Sequence, residues 1–166
     1  MLRSLSIRDF AIVDRLELEF SRGFTVLTGE TGAGKSILID ALAMVIGERA
    51  DAIVVRSGAE RAEIGAEFGV DARPDITRWL ADNDLTGDEG ALLMRRMIES
   101  SGRSRGFING HAATLAQLRE LGERLVDIHG QHEHQSLGRA AAQRELLDAY
   151  GGLADAAAKV AELHGA

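Results

Sequence analysis

Apolar and polar residues alternate in two short stretches at the start of the chain. Leu5 and Ile7 alternate with polar residues, and Leu16, Leu18 and Phe20 alternate with charged ones. A repeat of two residues is typical of strands that bury one face and expose the other. The pattern therefore predicts two strands, which we expect to be antiparallel.

The apolar pattern then changes from strand to helix across a stretch rich in glycine. Residues 24–28 predict a short buried strand, and residues 37–46 predict an apolar helix that Gly47 can end. A simple nucleotide-binding α/β domain usually begins with such a strand. The two strands that precede it here indicate a different architecture.

Strand and helix patterns continue through the middle of the chain. Residues 62–70 predict a further strand, and Pro74 can open a short helix. In this helix we expect Trp79 to pack in the core rather than to form a base-stacking platform. Residues 92–98 and 106–108 predict the two strands of a hairpin with a polar tip.

The last part of the chain is mainly helical in pattern. Thr114 and Gln117 form a capping box at the start of a helix, and residues 125–128 predict a short strand. Residues 139–166 carry apolar side chains at spacings of three and four, which fits the root of a longer coiled-coil arm or a plain amphipathic helix. We expect this segment to be separate from a lobe over residues 1–138.

Composition narrows the class of protein. The 166 residues are 45% hydrophobic and include no cysteine, so one sizeable core without disulfides is expected. The chain has neither an apolar run of membrane length nor a signal-peptide core. We therefore expect a cytoplasmic protein with no membrane partner.

The net charge of −7 argues against nucleic-acid binding by the whole surface, because such binding depends on neutralising phosphates. Any contact with DNA must come from a local patch. The best candidate is a stretch of four arginines with one opposing charge, Glu99. The arginines are Arg95, Arg96, Arg103 and Arg105. A solvated hairpin with charged edges is the alternative interpretation.

The glycine-rich loop matches the phosphate-binding pattern GxxxxGK[ST] in full. Its residues are Gly29, Glu30, Thr31, Gly32, Ala33, Gly34, Lys35 and Ser36. Backbone N–H groups of the loop, together with Ile37 at the start of the helix, are expected to bind the phosphates. Lys35 would reach the β- and γ-phosphates, and the Ser36 hydroxyl would bind Mg²⁺. The chain is therefore predicted to bind a nucleoside triphosphate.

A complete hydrolase of this class needs a second acidic element, an apolar strand that ends in Asp. Asp88 and Glu89 follow a turn-forming stretch, and Asp127 follows only two apolar residues. A guanine-reading Asn-Lys-x-Asp motif is impossible, because neither Lys35 nor Lys159 follows Asn. The sequence therefore predicts half of a catalytic site.

Residues 129–135 contain three histidines and a carboxylate, which could be the ligands of a metal ion. The histidines are His129, His132 and His134. Zinc sites usually draw on more dispersed ligands, and no cysteine is available to complete one. Gln131 is a better candidate for a functional residue than the histidines, because an amide oxygen just past a strand can bind Mg²⁺ and sense the γ-phosphate.

Three segments together resemble the N-terminal half of an SMC-type ATPase head, in particular those of bacterial recombination and repair proteins. They are residues 5–36, residues 103–110 and residues 127–135. The resemblance covers essentially the whole chain. It implies a P-loop NTPase of the ABC/SMC head type, with a mixed sheet, antiparallel strands before the loop, and the start of a coiled-coil arm at the C-terminus.

The resemblance also implies partners and cofactors. The C-terminal half of the same head would supply the Walker B strand and the signature motif, and two heads would sandwich two ATP molecules with Mg²⁺. The family acts in the repair and recombination of DNA double-strand breaks, where head engagement is coupled to DNA binding and end tethering. A location at the nucleoid follows from this role.

Carried over by residue, the resemblance makes residues 29–36 the Walker A loop and Gln131 the Q-loop glutamine. Arg56 falls where related heads carry an arginine, and it is a candidate contact to DNA or to the neighbouring nucleotide. An exposed loop arginine is the alternative. Phe10 is followed by Ala11, where some relatives have a basic residue that touches the nucleotide.

We therefore expect an ATP-binding half-head, part of an ATPase, that by itself hydrolyses ATP very weakly or not at all. The alternative from another class is a self-contained nucleotide-dependent switch or adaptor that acts on a protein partner through its C-terminal helix. A small-molecule phosphotransferase is the third reading.

Overall fold

In the computed structural model, the alternating segments of the sequence form the strands of one antiparallel sheet. The strands are β1 (Leu2–Phe10), β2 (Val13–Glu19), β3 (Arg61–Gly69), β4 (Ala91–Glu99), β5 (Ser104–Ile108) and β6 (His111–Ala113). Their order across the sheet is β2-β1-β3-β4-β5-β6, and every neighbouring pair is antiparallel. The predictions that correspond to β1, β2, β3, β4 and β5 are confirmed.

Helices pack on one face of this sheet. They are α1 (Lys35–Val45), α2 (Pro74–Asp82) and α3 (Leu115–Leu125), and a short 3₁₀ turn spans Ala52–Val54. Inward side chains of the strands, such as Ile64 and Met94, are buried in a core shared with the helices. Trp79 of α2 is buried, and its Nε1 donates to Glu120 at 2.7 Å. Its predicted place in the core is confirmed.

The structure describes residues 1–28, 34–126, 128, 143–144, 147–148 and 150–164. The chain divides into two compact units, Met1–Val126 and Asp127–Ala166. In the second unit α4 spans Ala154–His164, and none of its residues is buried. The first unit ends before the predicted boundary at residue 138, which lies outside the described residues.

The predicted buried strand before the phosphate loop is not formed. Residues 24–28 have no regular secondary structure, and the exposed fractions of Phe24 and Val26 are 106% and 79%. A strand needs a hydrogen-bonded neighbour and a covered face, and no strand among the described residues pairs with this segment. The prediction is wrong because it assumed a neighbour that this sheet does not provide.

The predicted strand over residues 125–128 is also corrected. Leu125 is the last residue of α3, and Val126 is its C-cap with extended backbone angles. The capping box at the other end of α3 is confirmed. The Gln117 N–H donates to Thr114 Oγ1 at 3.2 Å, and the Thr114 N–H donates to Gln117 Oε1 at 2.9 Å.

A tight turn joins β5 to β6, a strand that the sequence analysis did not predict. Asn109 and Gly110 have φ values of +49° and +83°, which two-residue hairpin turns favour. The Asn109 side chain also accepts from the Leu93 N–H at 2.9 Å and donates to the Leu85 carbonyl at 2.8 Å. This residue therefore fixes the turn to β4 and to the loop before it.

The end of α1 packs directly against the backbone of α3. Gly47 follows the helix with φ +107°, and a Cβ at this position would overlap the backbone nitrogen of Arg119. A Cβ at Gly122 would overlap the carbonyl oxygen of Ile46. The two glycines thus let the helices approach without intervening side chains, and this approach sets the place of α1 on the sheet.

We expect Gly47→Ala to lower the free energy of unfolding by about 3 kcal/mol, because the methyl group adds steric overlap to the cost of a positive φ. Gly58→Ala is the matched control, since Gly58 has φ +86° but open space around its Cβ position. The control should cost about 1 kcal/mol. Urea unfolding followed by circular dichroism measures both, and equal losses would show that the α1–α3 approach does not constrain the fold.

Arg73 forms a bidentate ion pair at the start of α2 and a hydrogen bond to the end of α3. Arg73 donates from Nε and Nη2 to the Asp75 carboxylate at 2.9 and 2.7 Å, and from Nη2 to the Arg124 carbonyl at 3.0 Å. The hydrogen bonds from Arg73 lower the pKa of Asp75 to about 2. Because this pKa is depressed in the folded state, the pair stabilises the fold above the ordinary carboxyl pKa, and its contribution is lost as the pH falls towards 2.

In Arg73→Met, we expect the pKa of Asp75 to return to about 4, the ordinary value of an aspartate. NMR of the side-chain carboxyl carbon during a pH titration measures it directly. Arg78→Met is the control, because Arg78 is exposed on the same helix, and it should leave the Asp75 pKa unchanged. An Asp75 carboxyl that still titrates near pH 2 in Arg73→Met would contradict this account of the Arg73–Asp75 ion pair.

Candidate nucleotide-binding site

The N-terminal end of α1 carries the last residues of the phosphate-loop motif. Lys35 and Ser36 are the first two residues of the helix, and Gly34 is its N-cap. Residues 29–33, which complete the motif, lie outside the described residues. The described geometry therefore concerns the end of the helix, where phosphate contacts were predicted for Lys35, Ser36 and Ile37.

This helix end is suited to an anion. Gly34 brings no side chain that could cap the first N–H groups, and the first turn contains no acidic residue. The helix dipole places partial positive charge at the same end. Lys35 is half-buried and Ser36 is exposed, and both follow Gly34 at the end where the helix N–H groups are free of intrahelical partners. These are the groups that a triphosphate with bound Mg²⁺ requires.

Large apolar side chains next to the motif in sequence are exposed. The exposed fractions are 106% for Phe24, 79% for Val26, and 45% each for Leu27 and Ile39. Exposed apolar side chains in such numbers are typical of surfaces that another chain or segment covers. The segment that leads to the phosphate loop thus lacks a cover among the described residues.

Arg56 lies where the loop after the 3₁₀ turn meets the end of β1. Its N–H donates to the Asp9 carbonyl at 2.8 Å, and its Nη1 lies 3.9 Å from the carboxylates of Asp9 and Asp14. At that distance neither carboxylate forms a hydrogen bond with the guanidinium. The side chain is 42% exposed and lines an open polar pocket with Arg8 and Glu60.

Three of the four arginines in the candidate DNA patch are exposed on the β4–β5 hairpin. Arg103 and Arg105 both pair with Glu99, at 3.2 and 3.0 Å, and their side chains are 77% and 62% exposed. Arg95 lies over the ring of Phe107, 4.8 Å from its centroid. Exposed ion pairs of this kind contribute little to stability. An external anion can therefore compete for these arginines.

Arg96 is the exception, and its prediction as a DNA contact is wrong. Its side chain is 2% exposed. Nη1 donates to the carbonyls of Met44 and Glu48 at 3.2 and 3.3 Å, and Nη2 donates to Ser104 Oγ at 2.9 Å. Burial lowers the pKa of Arg96. Among the described residues no ion pair includes it, and a guanidinium enclosed in this way has no surface to offer DNA.

Other predicted site residues cannot be placed. Gln131 and the three nearby histidines lie outside the described residues. In the part of the chain that is described, no group of three or more histidines or carboxylates is arranged to hold a metal ion. None of the described helices is long and apolar enough to cross a membrane.

The sequence analysis missed the residues that hold the far end of α1. Arg119 donates from Nη2 to the Gly47 carbonyl at 3.4 Å, beside the contacts of Arg96. The alternation of β4 places Arg96 on the same side as Met94 and Ile98, and this signal could have identified it as buried. No sequence signal pointed to Arg119.

The chain is similar to one family model and to curated proteins of several bacteria. A family model described as an AAA domain matches residues 4–159. The DNA repair protein RecN of Vibrio cholerae is 50% identical over 155 residues, which are 93% of this chain and 28% of that protein. RecN of Xylella fastidiosa (strain 9a5c) is 52% identical over 150 residues, which are 90% of this chain and 27% of that protein.

A solved structure shares the fold. A chain from work on the ATP-driven dimerization and DNA-stimulated activation of SMC ATPases superposes with a TM-score of 0.63 at 22% identity, and the match covers 89% of this chain and 97% of that one. The fold is that of the N-terminal lobe of an SMC head. The present chain spans about a quarter of the length of its RecN relatives. It belongs to the AAA domain family, and it is similar to the N-terminal part of RecN.

Proposed function

We propose that the chain is the ATP-binding lobe of the head of an SMC-like DNA repair ATPase. The N-terminal end of α1 carries this proposal, because Lys35, Ser36 and the helix N–H groups offer the ligands of a triphosphate. ATP would bind along residues 29–37, with Mg²⁺ held by Ser36 and Gln131. The similarity to RecN supports DNA repair as the process.

The lobe would supply only half of the catalytic site. Its sequence lacks an acidic strand that could hold Mg²⁺ and activate water. The exposure of Phe24, Val26 and Leu27 supports a second half of the head, which would give residues 24–28 a strand neighbour and cover these side chains. That half would bring the Walker B strand and the signature motif, and two complete heads would close on ATP.

The second unit would begin a coiled-coil arm. Tyr150, Leu153 and Val160 lie on the heptad-like seam, and their exposed fractions are 93%, 55% and 66%. Pairing with another helix would bury this seam. The arm would then join the two halves of the head.

DNA would contact the head through exposed arginines. Arg103 and Arg105 share a single carboxylate, so the hairpin tip keeps an excess of positive charge. Arg56 makes no hydrogen bond with either nearby carboxylate and can turn to DNA or to a neighbouring nucleotide. Head engagement on ATP would couple nucleotide binding to DNA binding and end tethering.

Lys35→Ala tests the nucleotide site. Loss of the ammonium should remove contacts to the γ-phosphate, so we expect the preference for ATP over ADP to narrow by about tenfold. Isothermal titration with Mg²⁺ and each nucleotide measures this. Lys159→Ala removes the other lysine of the chain and should leave both affinities unchanged.

The same protein tests the half-site. The 166-residue chain should show no Mg²⁺-dependent ATP hydrolysis above background, since it lacks the acidic strand. Robust turnover that Lys35→Ala abolishes would contradict the half-site, whereas equal nucleotide binding by wild type and Lys35→Ala would contradict the nucleotide site itself.

Charge removal on the hairpin tests the DNA contact. For the double variant Arg103→Gln and Arg105→Gln, we expect weaker binding of duplex DNA and a salt slope reduced by about 2. Fluorescence anisotropy at several salt concentrations measures both. Arg15→Gln is the control, because Arg15 is equally exposed and paired with Glu17 at 2.7 Å. An unchanged slope in the double variant would make the hairpin structural.

A further inference from the structure

We infer that Arg96 is a positioning residue of the nucleotide site, acting through α1 from the helix end that lies away from the phosphate loop. Ser104 extends the same link from β4 to β5. The inference rests on the proposed nucleotide binding, and it adds a residue that touches neither nucleotide nor DNA.

The C-terminal end of α1 is held through its last carbonyl groups. The last carbonyls of any helix have no N–H partner within the helix, and they carry the negative end of its dipole. The last turn of α1 contains no basic residue of its own. Arg96 reaches in from β4 and donates to the Met44 and Glu48 carbonyls. Backbone N–H groups of Gly47 and Glu48 already donate to the Met44 and Ala43 carbonyls at 3.2 and 3.0 Å. Arg96 therefore adds a cation from the sheet to a helix end that the backbone caps.

The same helix end is fixed by a second element. Arg119 of α3 donates to the Gly47 carbonyl, and backbone approach at Gly47 and Gly122 leaves no space for sliding. An α-helix of this length, about 16 Å, behaves as a rigid rod. Fixing one end to β4 and α3 therefore also places the other end, where Lys35 and Ser36 lie.

One hydrogen bond joins β5 to the side chain that holds the end of α1. Ser104 accepts from Arg96 Nη2 at 2.9 Å, and it lies between Arg103 and Arg105 in sequence. Ser104 and Arg96 therefore form a hydrogen-bonded path from the exposed end of β5 to the end of α1. Any shift of β5 at this point changes the acceptor set of the buried guanidinium.

Nucleotide affinity separates a positioning role from simple core stability. With the full 166-residue chain and Mg²⁺–ATP in isothermal titration, we expect Arg96→Met to raise the Kd about tenfold. Arg96→Lys keeps a cation at the helix end and should raise it less. Ser104→Ala keeps the bonds to α1 and should raise it by about threefold.

Two control variants define what mere destabilisation does. Ile76 of α2 is fully buried, so Ile76→Val leaves a small cavity in the core and lowers the Tm. This variant should leave the Kd for Mg²⁺–ATP unchanged. Arg61→Met removes an exposed strand arginine paired with Glu63 and should also leave it unchanged. If Arg96→Met changes the Kd no more than Ile76→Val does, Arg96 is only a core residue and the inference is overturned.

Hydrogen exchange gives a readout that needs no nucleotide. In Arg96→Met, amides over residues 37–41 of α1 should exchange faster than in wild type, while those of α2 should not. If the wild type binds no ATP, the proposed function fails, and the exchange of α1 alone decides the inference. Unchanged exchange over residues 37–41 overturns it. Should Arg96→Met not fold, Arg96→Lys and Ser104→Ala carry the same two measurements, and wild-type values in both would overturn it.

Discussion

The end of α1 that lies away from the phosphate loop fixes the position of this helix, and this constraint shapes the first unit. Among the described residues no side chain caps the N-terminal end of α1, and its first turn contains no acidic residue. Such groups would stabilise the helix, but they would also compete with an anion for the same N–H groups. The helix is anchored instead at its other end, by buried Ala41 and Val45 and by the contacts of Gly47.

The antiparallel sheet can form without the segment that leads to the phosphate loop. Most of its neighbours are joined by hairpins or short connections, so local pairing completes them. Residues 24–28 are different, because no described strand pairs with them. Covering Phe24 or Val26 would contribute about 1.5 to 3 kcal/mol for each side chain. Under the proposed function, association with the second half of the head would recover this free energy.

The secondary structure was predicted correctly where it depends on residues that are close in sequence. Period-two alternation identified β1 to β5, and the Thr114 and Gln117 pair identified the start of α3, because both depend on neighbours within a few residues. The apolar pattern of residues 24–28 gave a wrong prediction of a buried strand, since apolar residues indicate burial but do not identify the chain or segment that covers them. The three residues of β6 were too few to show a pattern, although the Asn109-Gly110 turn that creates it was visible.

The site was predicted in the same uneven way. The spacing of the phosphate-loop motif alone predicts Lys35 and Ser36 as ligands of phosphate and Mg²⁺, and this assignment stays a prediction. Arg96 was misassigned because four arginines in one stretch were treated as one surface, whereas strand alternation turns one of them inward. Arg119 was missed, since its role depends on how α3 crosses the end of α1, and this packing is tertiary.

Because the Arg96 side chain is buried, the affinity of the β4–β5 hairpin for DNA is also limited. Its tip offers Arg103 and Arg105 with Glu99 between them, and Arg95 is the third exposed arginine. Three arginines can neutralise at most about three phosphates, which gives weak, salt-sensitive binding. A chain with a net charge of −7 has little further attraction to add. If two heads engage on ATP as proposed, their hairpins would act on one duplex together, and the effective concentration of the second contact would provide the affinity that a single lobe lacks.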